Sequence, residues 1–142
     1  MKNFRSILLG LTVLLLASAA HAQSTSVRAH VPFDFVVADR TYPAGDYDVK
    51  SINDDGMALL IRNRNTDAPA SGISLSSRCS SIQPSDTTKL VFTRMGGQLF
   101  LYQIWVQGSE VGREVPKSRT EMQLASNHAH RDVVIVAANI LR

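Results

Sequence analysis

Two histidines and an aspartate near the end of the chain have the spacing of a possible metal site. His128, His130 and Asp132 are each two residues apart, and residues two apart share one face of a β-strand. Imidazole and carboxylate groups are ligands of Zn²⁺, so a strand here would present three donors to one ion. If the segment is instead a loop or a helix end, the three side chains are separated and the segment is an ordinary polar connection exposed to solvent. Since these residue types alone do not specify a metal, the sequence assigns no metal site.

Basic residues surround a second feature, a helix start at Ser118. Arg113, Lys117 and Arg119 lie close to it in the sequence. The free N–H groups of a helix N-terminus bind anions, whereas cations at this end are mildly unfavourable. We therefore predict that Arg113, Lys117, Ser118 and Arg119 form a patch for an anionic envelope component or a partner protein. The alternative is that these cations pair with native acids such as Glu114.

Nucleophilic side chains are plentiful but have no supporting residues. Cys79 is the single cysteine, so it cannot form an internal disulfide. Several serines surround it: Ser74, Ser76, Ser77, Ser80 and Ser81. A catalytic serine needs a base and an orienting acid, and Gly72-Ile73-Ser74 is not the Gly-x-Ser-x-Gly elbow of one large hydrolase class. We therefore predict a protein that is not an enzyme and has no cofactor.

Turn residues divide the chain into short apolar segments. Asp54-Asp55-Gly56 and Gly96-Gly97 are typical of hairpin turns. Residues 99–106 are almost wholly apolar, which predicts a central strand covered on both faces. Residues 132–139 are rich in β-branched side chains and predict a last, buried strand. The spacing indicates an all-β fold, an antiparallel β-sandwich or small barrel of about seven strands.

One short helix is predicted near the C-terminus. Ser118-x-x-Glu121 has the pattern of a capping box, and Pro116 precedes it, as is common near helix starts. The helix is predicted to end at Asn127. The predicted packing face consists of the apolar residues at i, i+3 and i+7: Met122, Ala125 and Ala129.

The first residues have the three parts of a secretory signal peptide. Lys2 and Arg5 precede an apolar run at residues 7–16, and Ala20-His21-Ala22 supplies the small residues of a cleavage site. The run is shorter than the roughly 20 residues that span a bilayer. We therefore predict a signal peptide at 1–22 and a single β-rich domain at 23–142 with no membrane span. The mature protein is expected to be exported, either periplasmic or secreted.

Charge excludes one class of partner. The chain of 142 residues has a net charge of +3, but two of its 15 basic residues belong to the signal peptide. The mature domain keeps 13 basic residues against 12 acidic ones, a net charge of +1. Nucleic-acid binding depends on a clustered basic surface, so we predict no nucleic-acid partner.

Four motifs together resemble a family of small exported bacterial proteins that has no assigned function. They are residues 31–35 (VPFDF), 43–49 (PAGDYDV), 100–105 (FLYQIW) and 112–118 (GREVPKS). The resemblance covers most of the mature chain. It implies an exported β-rich domain, and it carries over neither a catalytic residue nor a ligand.

These features favour a binding or structural module of the cell envelope without enzymatic activity. The alternative is a lipocalin-like carrier of a small apolar ligand, because a barrel of about eight strands can hold one such ligand. The interior distinguishes the two: a carrier needs a void, whereas a module can be filled by its own side chains. The residues that decide this are Leu90, Phe92, Phe100, Tyr102, Ile104 and Trp105.

Export predicts a defined mature N-terminus. When the full chain is expressed in its host, mass spectrometry of the secreted or periplasmic fraction should find a protein that begins at Gln23, because cleavage after Ala-x-Ala removes the signal. A membrane-embedded chain that retains Met1 would contradict this prediction.

Overall fold

The computed structural model describes residues 25–65 and 71–141, so the predicted signal peptide lies outside the described residues. Within them the chain forms eleven strands and one helix. The elements are β1 Ser26–Val31, β2 Phe35–Val37, β3 Arg40–Tyr42, β4 Gly45–Ser51, β5 Ala58–Asn63, β6 Ser71–Leu75, β7 Ser77–Ser80, β8 Lys89–Met95, β9 Gln98–Trp105, β10 Val111–Glu114, α1 Arg119–Ser126 and β11 Asp132–Ile140.

The strands form one curled, mixed sheet. Its order is β3-β2-β9-β8-β11-β1-β4-β5-β6, with every pairing antiparallel except that of β2 with β9. After Ser76 the chain passes from β6 into β7, which pairs with β10, and β10 pairs with β9. Because β9 is the third strand of this order, β7 and β10 connect the β6 end of the sheet to a strand near its other end. The sheet therefore curls into a half-barrel. This confirms the predicted all-β class.

The strand number differs from the predicted seven because four strands are very short. β2 and β3 have three residues each, and β7 and β10 have four. A period-two pattern needs at least four to eight residues to be recognised, so pieces of this length leave no clear signal in the sequence.

Aromatic rings fill the inside of the curl. Phe35 stacks on Tyr42 with ring centroids 5.4 Å apart, and it meets Tyr47 edge-on at 5.0 Å and Phe92 at 5.4 Å. Phe33 meets Phe92 at 5.1 Å. Aliphatic side chains from the neighbouring strands complete the buried cluster: Val27, Val31, Val49, Leu59, Ile61, Leu90, Leu101 and Ile104.

A bulge in the β8–β9 hairpin decides which face each apolar residue occupies. The register shifts between Val91 and Phe92, so both Leu101 and Ile104 point into the core although they are three residues apart. Phe100 is also buried, because it lies on the opposite face next to Thr93, where α1 packs. The prediction that β9 is covered on both faces holds at Phe100 and Leu101, which lie on opposite faces and are both buried. Tyr102 and Trp105 are only half-buried.

The last strand is central in the sheet but covered on one face only. β11 lies between β8 and β1, and Val134 and Val136 pack against the core. Val133 and Ile135 point outward and are 61% and 60% exposed. The prediction of a fully buried strand was wrong because β-branched residues on the outer face give the same sequence pattern as a buried run.

The helix has the predicted ends and a different packing face. Ser118 is its N-cap and Asn127 its C-cap. Met122 is 52% exposed, Ala125 is exposed and Ala129 lies beyond the helix, so the predicted apolar stripe does not face the sheet. The side chains that do so are those of Glu121, which bonds to β8, and Leu124, which packs on Gly96.

The Gly96-Gly97 turn should tolerate alanine unequally at its two positions. Both residues have positive φ, +56° and +79°, which costs a residue with a side chain about 1–2 kcal/mol. A Cβ at Gly96 would also lie 2.8 Å from Leu124 Cδ2, whereas nothing lies within 4 Å at Gly97. Urea unfolding should therefore show that Gly96→Ala lowers stability more than the matched control Gly97→Ala. An equal loss would mean that the helix does not pack on this turn.

Candidate functional site

The helix start is tied to the sheet through Glu121. The Ser118 hydroxyl oxygen accepts a hydrogen bond from the Glu121 backbone N–H at 3.0 Å, which is the expected N-cap contact. The Glu121 carboxylate accepts instead from the Thr93 hydroxyl at 3.1 Å. Both side chains are buried. Among the described residues, the Ser118 half of the predicted capping box forms, while the Glu121 carboxylate bonds to Thr93 and links α1 to β8.

An acid from the β2–β3 turn lies at the helix N-terminus. Asp39 has a φ of +65°, and its Oδ1 accepts from the Arg119 backbone N–H at 2.7 Å. Its Oδ2 lies 3.6 Å from Arg119 Nε. The helix end thus has a carboxylate of its own chain where an external anion would bind. This geometry supports the alternative in which Arg119 pairs with a native acid.

The predicted patch is divided between two regions of the molecule. Ser118 and Arg119 lie at the helix start, and Lys117 beside them is exposed. Arg113 belongs to β10, where it is paired with Ile104 of β9. Ile104 points into the core, and paired residues share a face of a sheet, so Arg113 also points inward. Proximity in the sequence suggested one patch, but the alternation of the strand turns Arg113 away from the helix.

The two histidines precede the last strand instead of forming part of it. β11 begins at Asp132, and His128 has a φ of +56° in the connection before it. His130 Nε2 lies 3.0 Å from Asp132 Oδ1 at the exposed surface. No group of three or more His, Cys, Asp and Glu side chains converges in the described part of the chain.

Charged residues on the outer face of β1 and β4 pair with each other. Arg28 Nε donates to Asp48 Oδ1 at 2.7 Å, and His30 Nδ1 lies 2.9 Å from Asp46 Oδ1. The hydrogen bond from Arg28 holds the pKa of the Asp48 carboxyl below its ordinary value. Because the folded-state pKa is lowered, this contribution to stability is present at neutral pH and is lost as the pH falls through that lowered value.

The serine-rich strands have a structural role at their inner face. Ser74 and Ser76 are buried, and the Ser76 hydroxyl donates to the Gly56 carbonyl at 2.5 Å. Cys79 is half-buried, and burial, followed by the nearby Glu114 carboxylate, raises the pKa of its thiol. The thiol is thus protonated at neutral pH and a poor nucleophile.

Trp105 lies beside an open surface cavity of about 300 Å³. Its indole packs on Gly112, where a Cβ would lie 2.8 Å from the ring. Its Nε1 donates to Gln103 at 3.1 Å, and the Gln103 amide donates to Glu114 at 3.0 Å. The cavity is lined by Ser81, Gln83, Pro84, Ser85, Asp86, Lys89 and Trp105. Residues 99–106 were predicted to be covered on both faces, but the bulge places the indole of Trp105 on the outer face, where it is only half-buried.

Comparison with known proteins adds no relative. Neither a protein-family model, nor a curated protein, nor a solved structure matched this chain. Within residues 25–65 and 71–141, no helix is both long enough and apolar enough to cross a membrane.

The N-cap should contribute measurably to stability. Ser118→Ala removes the acceptor of the Glu121 N–H and is expected to cost about 0.5–2 kcal/mol in urea unfolding. Ser126→Ala is the matched control at the other end of α1, because its hydroxyl only donates to the Gln123 carbonyl at an exposed position. Equal effects of the two substitutions would show that the Ser118 contact does not anchor the helix.

Proposed function

We propose that this chain is an exported domain without enzymatic activity that serves as a binding or structural module of the cell envelope. Export is supported by the charged start, the apolar run at 7–16 and the small residues before Gln23. A module of this kind acts through its surface and its rims, and its interior serves only to hold the fold.

The filled interior is the observation that carries this proposal. Tyr47 and Phe92 are 0% exposed and Phe35 is 2% exposed, and their rings contact each other across the inside of the curl. Leu90 and Ile104, at 1% exposure each, belong to the same buried cluster. Close-packed interiors have few voids larger than a water molecule, so an apolar ligand would have to displace these side chains.

The lipocalin-like carrier is the less supported alternative. A carrier of this type keeps an interior cavity that its strands enclose. Two surface cavities lined by described residues, one at Trp105 and one between Thr88 and Ala138, are open and have mixed polar lining. Neither has the enclosed apolar wall that buries most of a small apolar ligand.

Two binding measurements on the mature protein test the proposal. In the first, residues 23–142 are incubated with isolated cell envelopes and sedimented, and we expect a saturable fraction in the pellet. In the second, the same protein is titrated with a fluorescent fatty acid, and we expect no stoichiometric uptake because the aromatic core has no room. An exported protein of similar size and charge is the control for trapping in the pellet.

The opposite pair of results would overturn the proposal. Uptake of one fatty acid per chain, with no envelope association above the control, would establish the carrier. Turnover of a substrate by the purified protein would contradict the assignment as a non-enzyme.

A further inference from the structure

Arg113 is a nearly buried cation without an anionic partner in the described residues. It is 7% exposed, and the side-chain ion pairs found in this part of the chain do not include it. Its guanidinium has five N–H donors, and none of the side-chain hydrogen bonds of the described residues uses them. Burying a charge without a partner costs free energy.

The N–H groups of Arg113 nevertheless reach solvent. Within the described residues, every fully buried side-chain nitrogen or oxygen has a hydrogen-bond partner. Since the guanidinium has none there, its small exposed fraction must include its nitrogen atoms. The side chain is therefore largely enclosed, and its nitrogen atoms lie at the edge of solvent, where a ligand from outside can reach them.

A second arginine faces the same space. Arg78 of β7 is directly opposite Arg113 of β10, and residues opposite each other in an antiparallel pair share a face with Cβ atoms roughly 4.5–5.5 Å apart. Like charges in this arrangement are destabilising. Arg78 is exposed, so the face that the two arginines share is open to solvent on the β7 side.

The hairpin turn at Gly56 packs against the guanidinium of Arg113. A Cβ at Gly56 would overlap the Arg113 guanidinium, so the absence of a side chain there makes the room that the arginine occupies. The Gly56 carbonyl is already bonded to Ser76. Asp55 of the same turn accepts from the Met57 N–H, and neither Asp54 nor Asp55 lies within ion-pair distance of an arginine among the described residues.

We propose that Arg113 and Arg78 together bind one oxyanion group of an anionic envelope component. The planar fork of arginine matches carboxylate, sulfate and phosphate groups with two parallel hydrogen bonds. One bound anion would supply the missing partner of Arg113 and remove the repulsion between the two cations. This assignment rests on the proposed envelope function and locates its contact at the Gly56 rim, apart from the helix start.

Sulfate, phosphate and acetate are suitable probes for this site. Each is titrated into the mature protein at constant ionic strength set with chloride, and binding is followed by the NMR signals of the arginine Nε–H groups. We expect saturable shifts of a few signals. The three anions share the recognising chemistry, and their order of affinity distinguishes a carboxylate ligand from a sulfate or phosphate ligand.

Arg78→Gln is the decisive variant because Arg78 is exposed and its loss should leave the fold intact. Since Arg78 would donate charge-assisted hydrogen bonds to the anion, we expect affinity to fall at least about tenfold. Arg113→Lys keeps the charge but loses the paired donors, and it should weaken binding in the same direction. Arg119→Gln, an exposed arginine at the helix start, is the matched control and should bind as the unaltered protein does.

Each other outcome overturns the assignment in a recognisable way. Loss of binding in Arg119→Gln with normal binding in Arg78→Gln would place the anion at the helix start. The absence of saturable shifts in the unaltered protein would remove the site altogether. If envelope association persisted in that case, the proposed function would stand without this contact. Anion binding without envelope association would contradict the proposed function and leave an arginine anion site whose ligand is not an envelope component.

Discussion

Phe35 connects parts of the sheet that are distant in strand order. Its ring lies 5.0 Å from Tyr47 of β4 and 5.4 Å from Phe92 of β8. Four strands separate β2 from β4 along the sheet, so the contact with Tyr47 exists only because the sheet curls. Aromatic pairs add about 0.5–1.5 kcal/mol beyond burial. The curl, the filled interior and the position of any binding surface all depend on this cluster.

The two ends of the curled sheet have different inner surfaces, one aromatic and one polar. Tyr47 lies near the start of β4, and its end of the curl is closed by aromatic rings. The Gly56 turn follows the end of β4, and there the inner face carries Ser74, Ser76 and Arg113. Apolar burial stabilises the first end and requires no ligand. Polar groups at the second end need hydrogen-bond partners, and the serines find theirs within the chain.

Local signals in the sequence predicted the turns and the helix ends well. The φ values of Gly56 and of the Gly96-Gly97 turn are positive, as their residue types predicted, because glycine adopts this conformation without steric cost. Ser118 caps the helix for a similarly local reason. Contacts between distant segments could not be predicted. The hydrogen bond from the Arg119 N–H to Asp39 joins residues 80 positions apart, and no hydrophobic periodicity or sequence motif predicts it.

The packing face of the helix shows why patterns alone were insufficient. An apolar stripe predicts the buried side of a helix when the opposing surface is apolar. Here the opposing strand presents Thr93, whose hydroxyl donates to a carboxylate, so polar Glu121 is buried and Met122 is exposed. The same reasoning applies to β10. Gly112 accommodates the indole of Trp105 and Glu114 bonds to Gln103, so the fold gives each of them a partner. Arg113 lies between them and points inward, and no side chain of the described residues forms an ion pair with it.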